Sequence, residues 1–456
     1  MTVGARLLTL RGVPRAPLAL RLDPVAALAR LAAEPGATLL AVPDPAHPVT
    51  LVGCAPAAEL RLTAGMAGDP LLAIERFVAA SPRPEPELPF PLGGGIVACL
   101  AYELGIPTVR PRGVASLPPG ALLAVLRRYD PWLVHDATTG AWHIVGSTPE
   151  RLRPPWLARL ATPPPTVAGP LARGPLVPLV SPAAYRLAVR RILRYLRAGD
   201  VYQVNLTLPF AADLAAPPWA LCARLAARHP VPYTAYLDLG DAAVVMNSPE
   251  LLLRRRGRRV ETRPIKGTRP RGTDAARDAA LAAELVRDPK ERAEHVMIVD
   301  LERNDLGRVC EVGSVTVDEL AAVERHPSVL HLVSTITGRL AAEVGLAGLL
   351  RATFPGGSIT GAPKERAMAI IAELEPLPRG VYTGALGLVD PRGDLELGLP
   401  IRTAVVTGGR LCWHAGGGIV LDSDPDRELA EAWLKTAALR WALGEAPAAL
   451  DPCSSG

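Results

Sequence analysis

Proline and glycine cut this chain into short pieces, and that punctuation limits how long any regular element can run. Of 456 residues, 48 are Pro and 41 are Gly. Proline fixes φ and removes a backbone donor, while glycine supplies turn conformations closed to other residues. Through residues 1–145 they bracket brief apolar stretches, the pattern of a β-rich region with few long helices. Residues 146–182 are Pro-dense, with Pro154-Pro155, Pro163-Pro164-Pro165, Pro170, Pro175, Pro178 and Pro182, and read as a linker or irregular crossover.

Clearer elements follow. Ser181 can cap a helix that has Pro182 in its first turn, with Tyr185, Val189, Ile192 and Leu196 on one face and Gly199 at its end. From Val201 to Phe210 the pattern alternates as a strand: Tyr202, Val204, Leu206, Leu208 and Phe210 face one way, and Gln203, Asn205 and Thr207 the other. That polar face suits a cavity wall or a solvent-exposed surface equally well. Asp288-Pro289 and Asp424-Pro425 open two further helices, carrying Glu291 with Glu294 and Glu428 with Glu431 at i, i+3. Opposed, these faces would make a nest of four carboxylates suited to Mg2+; apart, they are surface decoration, with Glu431 and Lys435 as an i, i+4 ion pair. The run Phe354 to Lys364 lacks the Lys-Ser/Thr ending of a phosphate loop, yet Pro363 can start a helix whose N-terminus suits an anion. Gly416-Gly417-Gly418 reads as a loop where a carboxylate could reach backbone N–H groups.

Charge is carried almost entirely by arginine. Lys266, Lys290, Lys364 and Lys435 are the only lysines among 50 basic residues, so 46 are Arg. A guanidinium cannot lose its proton in a protein, whereas a lysine amine can become a nucleophile or base. Lys266, in Arg263-Pro264-Ile265-Lys266-Gly267-Thr268, is therefore a candidate for covalent chemistry; an ordinary ion pair is its other reading. The net charge of +5 is mildly basic. Arg254-Arg255-Arg256-Gly257-Arg258-Arg259 is read as a hairpin turn rather than a nucleic-acid patch, because aromatic residues make up only 4 % of the chain. Six scattered cysteines without Cys-x-x-Cys spacing, no signal-peptide layout and no membrane-length apolar run lead to an expected reducing, cytoplasmic setting without membrane or nucleic-acid partners.

Taken in order, these segments resemble the chorismate-utilising enzymes: anthranilate, aminodeoxychorismate, isochorismate and salicylate synthases. The resemblance rests on Tyr202 to Leu206, Ser248-Pro249-Glu250, Arg263 to Thr268, Glu291 to Asp305, His331 to Ser334, Phe354 to Lys364, Tyr382 to Gly387, Ile401 to Thr403 and Ala415 through Lys435. Upstream, Pro91 to Val97, Ala101 to Gly105 and Tyr129-Asp130 are also similar to the family's N-terminal part, although the first 80 residues match poorly. The resemblance implies an α+β fold, two antiparallel β-sheets packed face to face with helices outside. It divides the chain into an N-terminal β-rich region, 1–165, and a chorismate-binding catalytic region, 180–445.

Residue by residue, the resemblance implies Lys266 as nucleophile and Glu250 as general acid. Mg2+ would sit on Glu294 and Glu431, with Glu291 and Glu428 supporting. Arg402, Tyr382 and the backbone at Gly416, Gly417 and Gly418 would take a carboxylate, Thr268, His331 and Ser358 the ring and hydroxyl side, and Lys435 would balance the acids. The form Pro264-Ile265-Lys266-Gly267-Thr268 is similar to aminodeoxychorismate synthase component I, where anthranilate and salicylate synthases carry Ala. Gln203 stands where salicylate and isochorismate synthases have a base Lys. Both positions imply amination of chorismate at C4, giving 4-amino-4-deoxychorismate for 4-aminobenzoate and folate. The alternative is anthranilate synthase component I or a related 2-amino-forming enzyme. Ammonia is expected from a glutamine amidotransferase subunit. The family's acidic-Ser tryptophan motif is missing from Leu39 to Asp44, which argues against a tryptophan site.

Overall fold

The strand Gln203–Asp213 shows why the interior forms where it does. It pairs antiparallel with Arg410–Ile419 along nearly its whole length, from Val204 opposite Ile419 to Asp213 opposite Arg410. Residues 203–212 are all buried, so the Gln203/Asn205/Thr207 face is an interior wall and not an exposed one. Tyr202 departs from the expected pattern. It precedes the strand and is 71 % exposed, although its backbone N–H still bonds the Ala362 carbonyl of the neighbouring strand.

The computed structural model describes residues 18, 20, 22–82, 90–91, 94–146, 157–163, 166–326 and 329–445, leaving aside the side chain of Lys290. Pro154-Pro155 and Pro164-Pro165 of the Pro-dense stretch, Leu92-Gly93 and Cys453 lie outside the described residues.

Two large sheets, antiparallel throughout, organise the chain. In order of neighbours the first runs Gly361–Ala362, Gln203–Asp213, Arg410–Ile419, Thr403–Thr407, Ala243–Ser248, Tyr233–Asp238, Thr38–Val42, Val49–Gly53, Trp132–Asp136 and Trp142–Val145. The second runs Ile265–Pro270, Val329–Arg339, Arg259–Arg263, Leu251–Arg256, Leu395–Gly398, Ala385–Val389, Ile96–Leu100, Leu122–Arg128 and Ala58–Thr63. Strands from before and after the Pro-dense stretch thus share both sheets. The period of two along each strand builds two apolar layers. Leu40, Val42, Leu51 and Met246 of the first sheet meet Val97, Cys99, Val125 and Leu388 of the second in one cluster between the sheets. Their outward neighbours Leu39 and Val52 join Leu28 and Leu31 of the helix Pro24–Leu31.

The helix at Pro182–Arg197 forms as expected. Ser181 caps it by accepting the Ala184 N–H at 3.2 Å, and Gly199 follows its end at φ 78°. Tyr185, Val189, Ile192 and Leu193 are buried, each worth roughly 1.5–3 kcal/mol, while Leu196 is only half-buried. The arginine run is a hairpin between Leu251–Arg256 and Arg259–Arg263, turning at Gly257 with φ 59°. Four of its five charges are matched by carboxylates: Arg254 forks onto Glu396 at 2.7 Å and reaches Glu261, Arg256 holds Asp44 and Glu396, Arg258 holds Glu311, and Arg259 holds Asp318, while Arg255 donates to the Gly257 carbonyl. Among the described residues no helix is long and apolar enough to cross a membrane.

Candidate active site

Lys266 stands in Ile265–Pro270, opposite Leu332 of the neighbouring strand. The pairing slips between Lys266 and Thr268, and Gly267 absorbs the irregularity at φ 74°. A side chain at 267 would be strained there and would strike Leu285 Cδ1 at 2.9 Å and Glu291 Oε2 at 3.2 Å. Among the described residues Lys266 makes no ion pair, so the structure does not give it the ordinary structural role. Burial holds its amine below the usual lysine range; Glu294, Glu250 and Glu431 push the other way, and Lys435 assists the burial. One amine is therefore within electrostatic reach of groups from the helix Pro289–Gly307, the helix Pro425–Leu434 and the turn before Leu251–Arg256.

Glu250 is buried, and Ser358 Oγ donates to its Oε1 at 2.9 Å. Burial pushes its carboxyl up to about 7, against the Ser358 hydrogen bond and the charge of Lys266. Such a group holds its proton near neutrality and can give it away. Thr268 Oγ1 lies 3.0 Å from His331 Nδ1, and burial, then Arg402, hold His331 neutral, down to about 4. Arg402 sits at φ 49° and makes no ion pair among the described residues, an expensive state for a guanidinium that burial pulls below its normal range. Tyr382 is buried and stacks on His414, rings 5.2 Å apart and 18° from parallel.

Gly416, Gly417 and Gly418 lie in the strand Arg410–Ile419, not in the loop expected. They pair with Thr207, Leu206 and Asn205, and beyond Trp413 no strand among the described residues pairs with their other side. Their bareness is a packing requirement. A Cβ at Gly417 would come within 3.2 Å of Glu431 Oε1 and 3.5 Å of Glu428 Oε2, and one at Gly418 within 2.6 Å of Gln203 Nε2. Both amide atoms of Gln203 are buried without a partner. Lys435 Nζ binds Glu431 at 2.7 Å and the Gly416 carbonyl at 2.6 Å, so the i, i+4 pair exists and also ties helix to strand. Ser423 Oγ donates to Glu428 at 2.6 Å, and Arg269 holds Glu291 at 3.3 Å. Glu431, Glu428 and Glu291 are thus each held by a different group; among the described residues no three His, Cys, Asp or Glu side chains gather as a metal site.

Comparison with known proteins matches this arrangement. A model of the chorismate binding enzyme family covers residues 36–440. The chain belongs to that family. As a chorismate-utilising enzyme it is 45 % identical over 394 residues to anthranilate synthase component 1 of Thermus thermophilus, covering 84 % of each chain. It is 39 % identical over 378 residues to aminodeoxychorismate synthase component 1 of Klebsiella aerogenes, covering 81 % of this chain and 82 % of that one. The crystal structure of anthranilate synthase component I from Streptococcus pneumoniae TIGR4 superposes with a TM-score of 0.75 at 31 % identity, over 87 % of this chain and 92 % of the other.

Three features around the candidate site escaped the sequence reading. Glu302 is buried, accepts from Thr262 Oγ1 at 2.7 Å and, chiefly through burial, is pushed up to about 8. Its spacing from Glu291, Glu294, His295 and Ile298 follows the helical period, a signal that was available. Arg379 is buried, forks onto Glu375, and donates to the Ile359 and Asn205 carbonyls at 2.8 Å. Glu103 and Tyr102 of the upstream motif support it, Glu103 through the Arg379 N–H at 2.7 Å and Tyr102 through its ring face. No local pattern marks that contact, which spans 276 residues. The third is the grip of Arg269 on the helix bearing Glu291 and Glu294.

Proposed function

We propose that the chain acts as aminodeoxychorismate synthase component I, aminating chorismate at C4 with ammonia from a glutamine amidotransferase subunit. The observation that carries this is Lys266, an amine without an ion pair among the described residues and held below the usual lysine range by burial, within electrostatic reach of Glu250, a carboxyl pushed up to about 7. Lys266 Nζ attacks C2 and the ring double bond shifts. The C4 hydroxyl leaves as water with the proton of Glu250. Ammonia then adds at C4, the double bond returns, and the bond between C2 and Nζ breaks. The proton lost by the new C4 ammonium restores Glu250. Two allylic displacements replace one displacement of a poor leaving group.

Arg402 and Tyr382 would take a substrate carboxylate, and Thr268, His331 and Ser358 are already ordered by hydrogen bonds along the ring side. Mg2+ is part of this reading, since hard carboxylate oxygens of Glu428 and Glu431 face the strand at Gly417. Glu294 and Glu431 would hold it, with Glu291 and Glu428 in support; when bound it would neutralise the acids and anchor the ring carboxylate. The unpaired Cys54, Cys99, Cys222, Cys310 and Cys412 suit a reducing, cytoplasmic setting.

The Thermus thermophilus relative favours a second reading, anthranilate formation. Incubation with chorismate, Mg2+ and ammonium, followed by mass spectrometry of small molecules and protein, separates the two. The expected result is 4-amino-4-deoxychorismate with a chorismate-derived adduct on Lys266; anthranilate as the main product rejects the proposal.

A further inference from the structure

Arg269 lies three residues beyond Lys266 and grips three carboxylates at the junction of two helices. Its Nε holds Glu284 Oε1 at 3.1 Å, its Nη2 Asp288 Oδ2 at 3.0 Å, and its Nη1 Glu291 Oε1 at 3.3 Å. The same Nη1 donates to the Thr268 carbonyl at 3.1 Å. Glu284 belongs to the helix Ala275–Arg287, Asp288 joins the helices, and Glu291 opens Pro289–Gly307. The other oxygen of Glu291 lies over Gly267, 3.2 Å from where a Cβ would stand. Gly267 is also where the strand slips register. Arg269 therefore reaches the irregular residue beside Lys266 through two intermediaries, the Thr268 carbonyl and the Glu291 carboxylate.

We propose that Arg269 is a positioning residue for Lys266: by clamping Glu284, Asp288 and Glu291 it fixes the bulge at Gly267 and so the direction of the Lys266 side chain. A residue with the charge alone would not suffice, because the three acids occupy separate nitrogens of one planar fork. The ion pairs are partly exposed, the Arg269 side chain by 21 %, so their value is geometric more than energetic. Arg271 supplies the contrast. It sits just beyond the same strand and binds Asp278 at 2.6 Å, with no contact to Gly267 or Glu291.

The chain carries only four lysines, which makes acetylation of Lys266 readable against the others. Full-length wild type, Arg269→Met, Arg269→Lys and Arg271→Met would be treated with N-hydroxysuccinimide acetate, and peptides bearing Lys266, Lys364 and Lys435 quantified by mass spectrometry. In parallel, the rate of adduct formation with chorismate and Mg2+ would be followed, and melting temperature recorded. Arg269→Met should change Lys266 acetylation at least about fivefold relative to Lys364 and Lys435 and slow adduct formation about tenfold or more, the scale of a misplaced reacting group. Arg269→Lys should restore less than half of that loss, and Arg271→Met should stay within about twofold of wild type in both assays. Equal behaviour of Arg269→Met and Arg271→Met, or full rescue by Arg269→Lys, overturns the proposal. The adduct arm rests on the proposed amination; the acetylation arm does not, so an enzyme forming no adduct would defeat that reading while leaving the clamp tested.

Discussion

Glu250 and Glu396 are buried glutamates at opposite ends of one pair of strands, and they have opposite fates. Glu396 pairs across to Arg254, which forks onto both its oxygens, and Arg256 and the Tyr233 hydroxyl complete its shell. Glu250, just before the other end of Leu251–Arg256, receives a serine hydroxyl and a backbone hydrogen bond, with a desolvated amine across the cleft. Burial alone does not decide what a carboxyl does. With guanidinium forks it becomes a strut; with one hydroxyl it keeps a proton available for transfer.

The largest effect should come from the amine that faces Glu250. Lys266→Met should abolish the protein adduct by mass spectrometry and lower turnover at least about 10⁴-fold, with little change in melting temperature. At the other end, Glu396→Gln should cost about 1.5–3 kcal/mol of stability, because Arg254 and Arg256 lose a charged acceptor but keep Glu261 and Asp44. Denaturant unfolding would show it, and unchanged stability would mean the strut is idle. Glu250→Gln should slow turnover roughly 10²-fold and remove the alkaline limb of its pH profile. The sign follows from the acid role: a carboxyl near 7 loses its proton as pH rises, so wild-type activity should fall above neutrality. Ser358→Ala should have the smallest effect, moving the alkaline limb upward by less than about one pH unit, because the hydroxyl favours the ionised form. A downward move would break the comparison.

How much of this was readable beforehand depended on the distance over which each signal acts. The helix at Pro182–Arg197 was legible because Ser181, Pro182 and the spacing of Tyr185, Val189 and Ile192 are local instructions. The paired acids were legible for the same reason. Their separation was not: Arg269 reaches Glu291 across 22 residues, and nothing nearby marks it as their holder. Gly416 to Gly418 were read as a loop because glycine is a weak strand former; they form a strand because they pair with Asn205 to Thr207, a distant partner that only the fold brings near. Lys266 stood out by scarcity, a compositional accident that happens to mark an unpaired amine.

The interleaving of the sheets has a consequence for synthesis. Thr38–Val42 gains its second neighbour only with Tyr233–Asp238, and Ile96–Leu100 gains its second only with Ala385–Val389, nearly 300 residues later. A nascent chain must therefore keep raw strand edges out of trouble for hundreds of residues, and completion should be slow, as long-range pairing demands. A fragment beginning near residue 180 would carry the acids and the amine yet expose two open edges, so it should precipitate rather than turn over substrate.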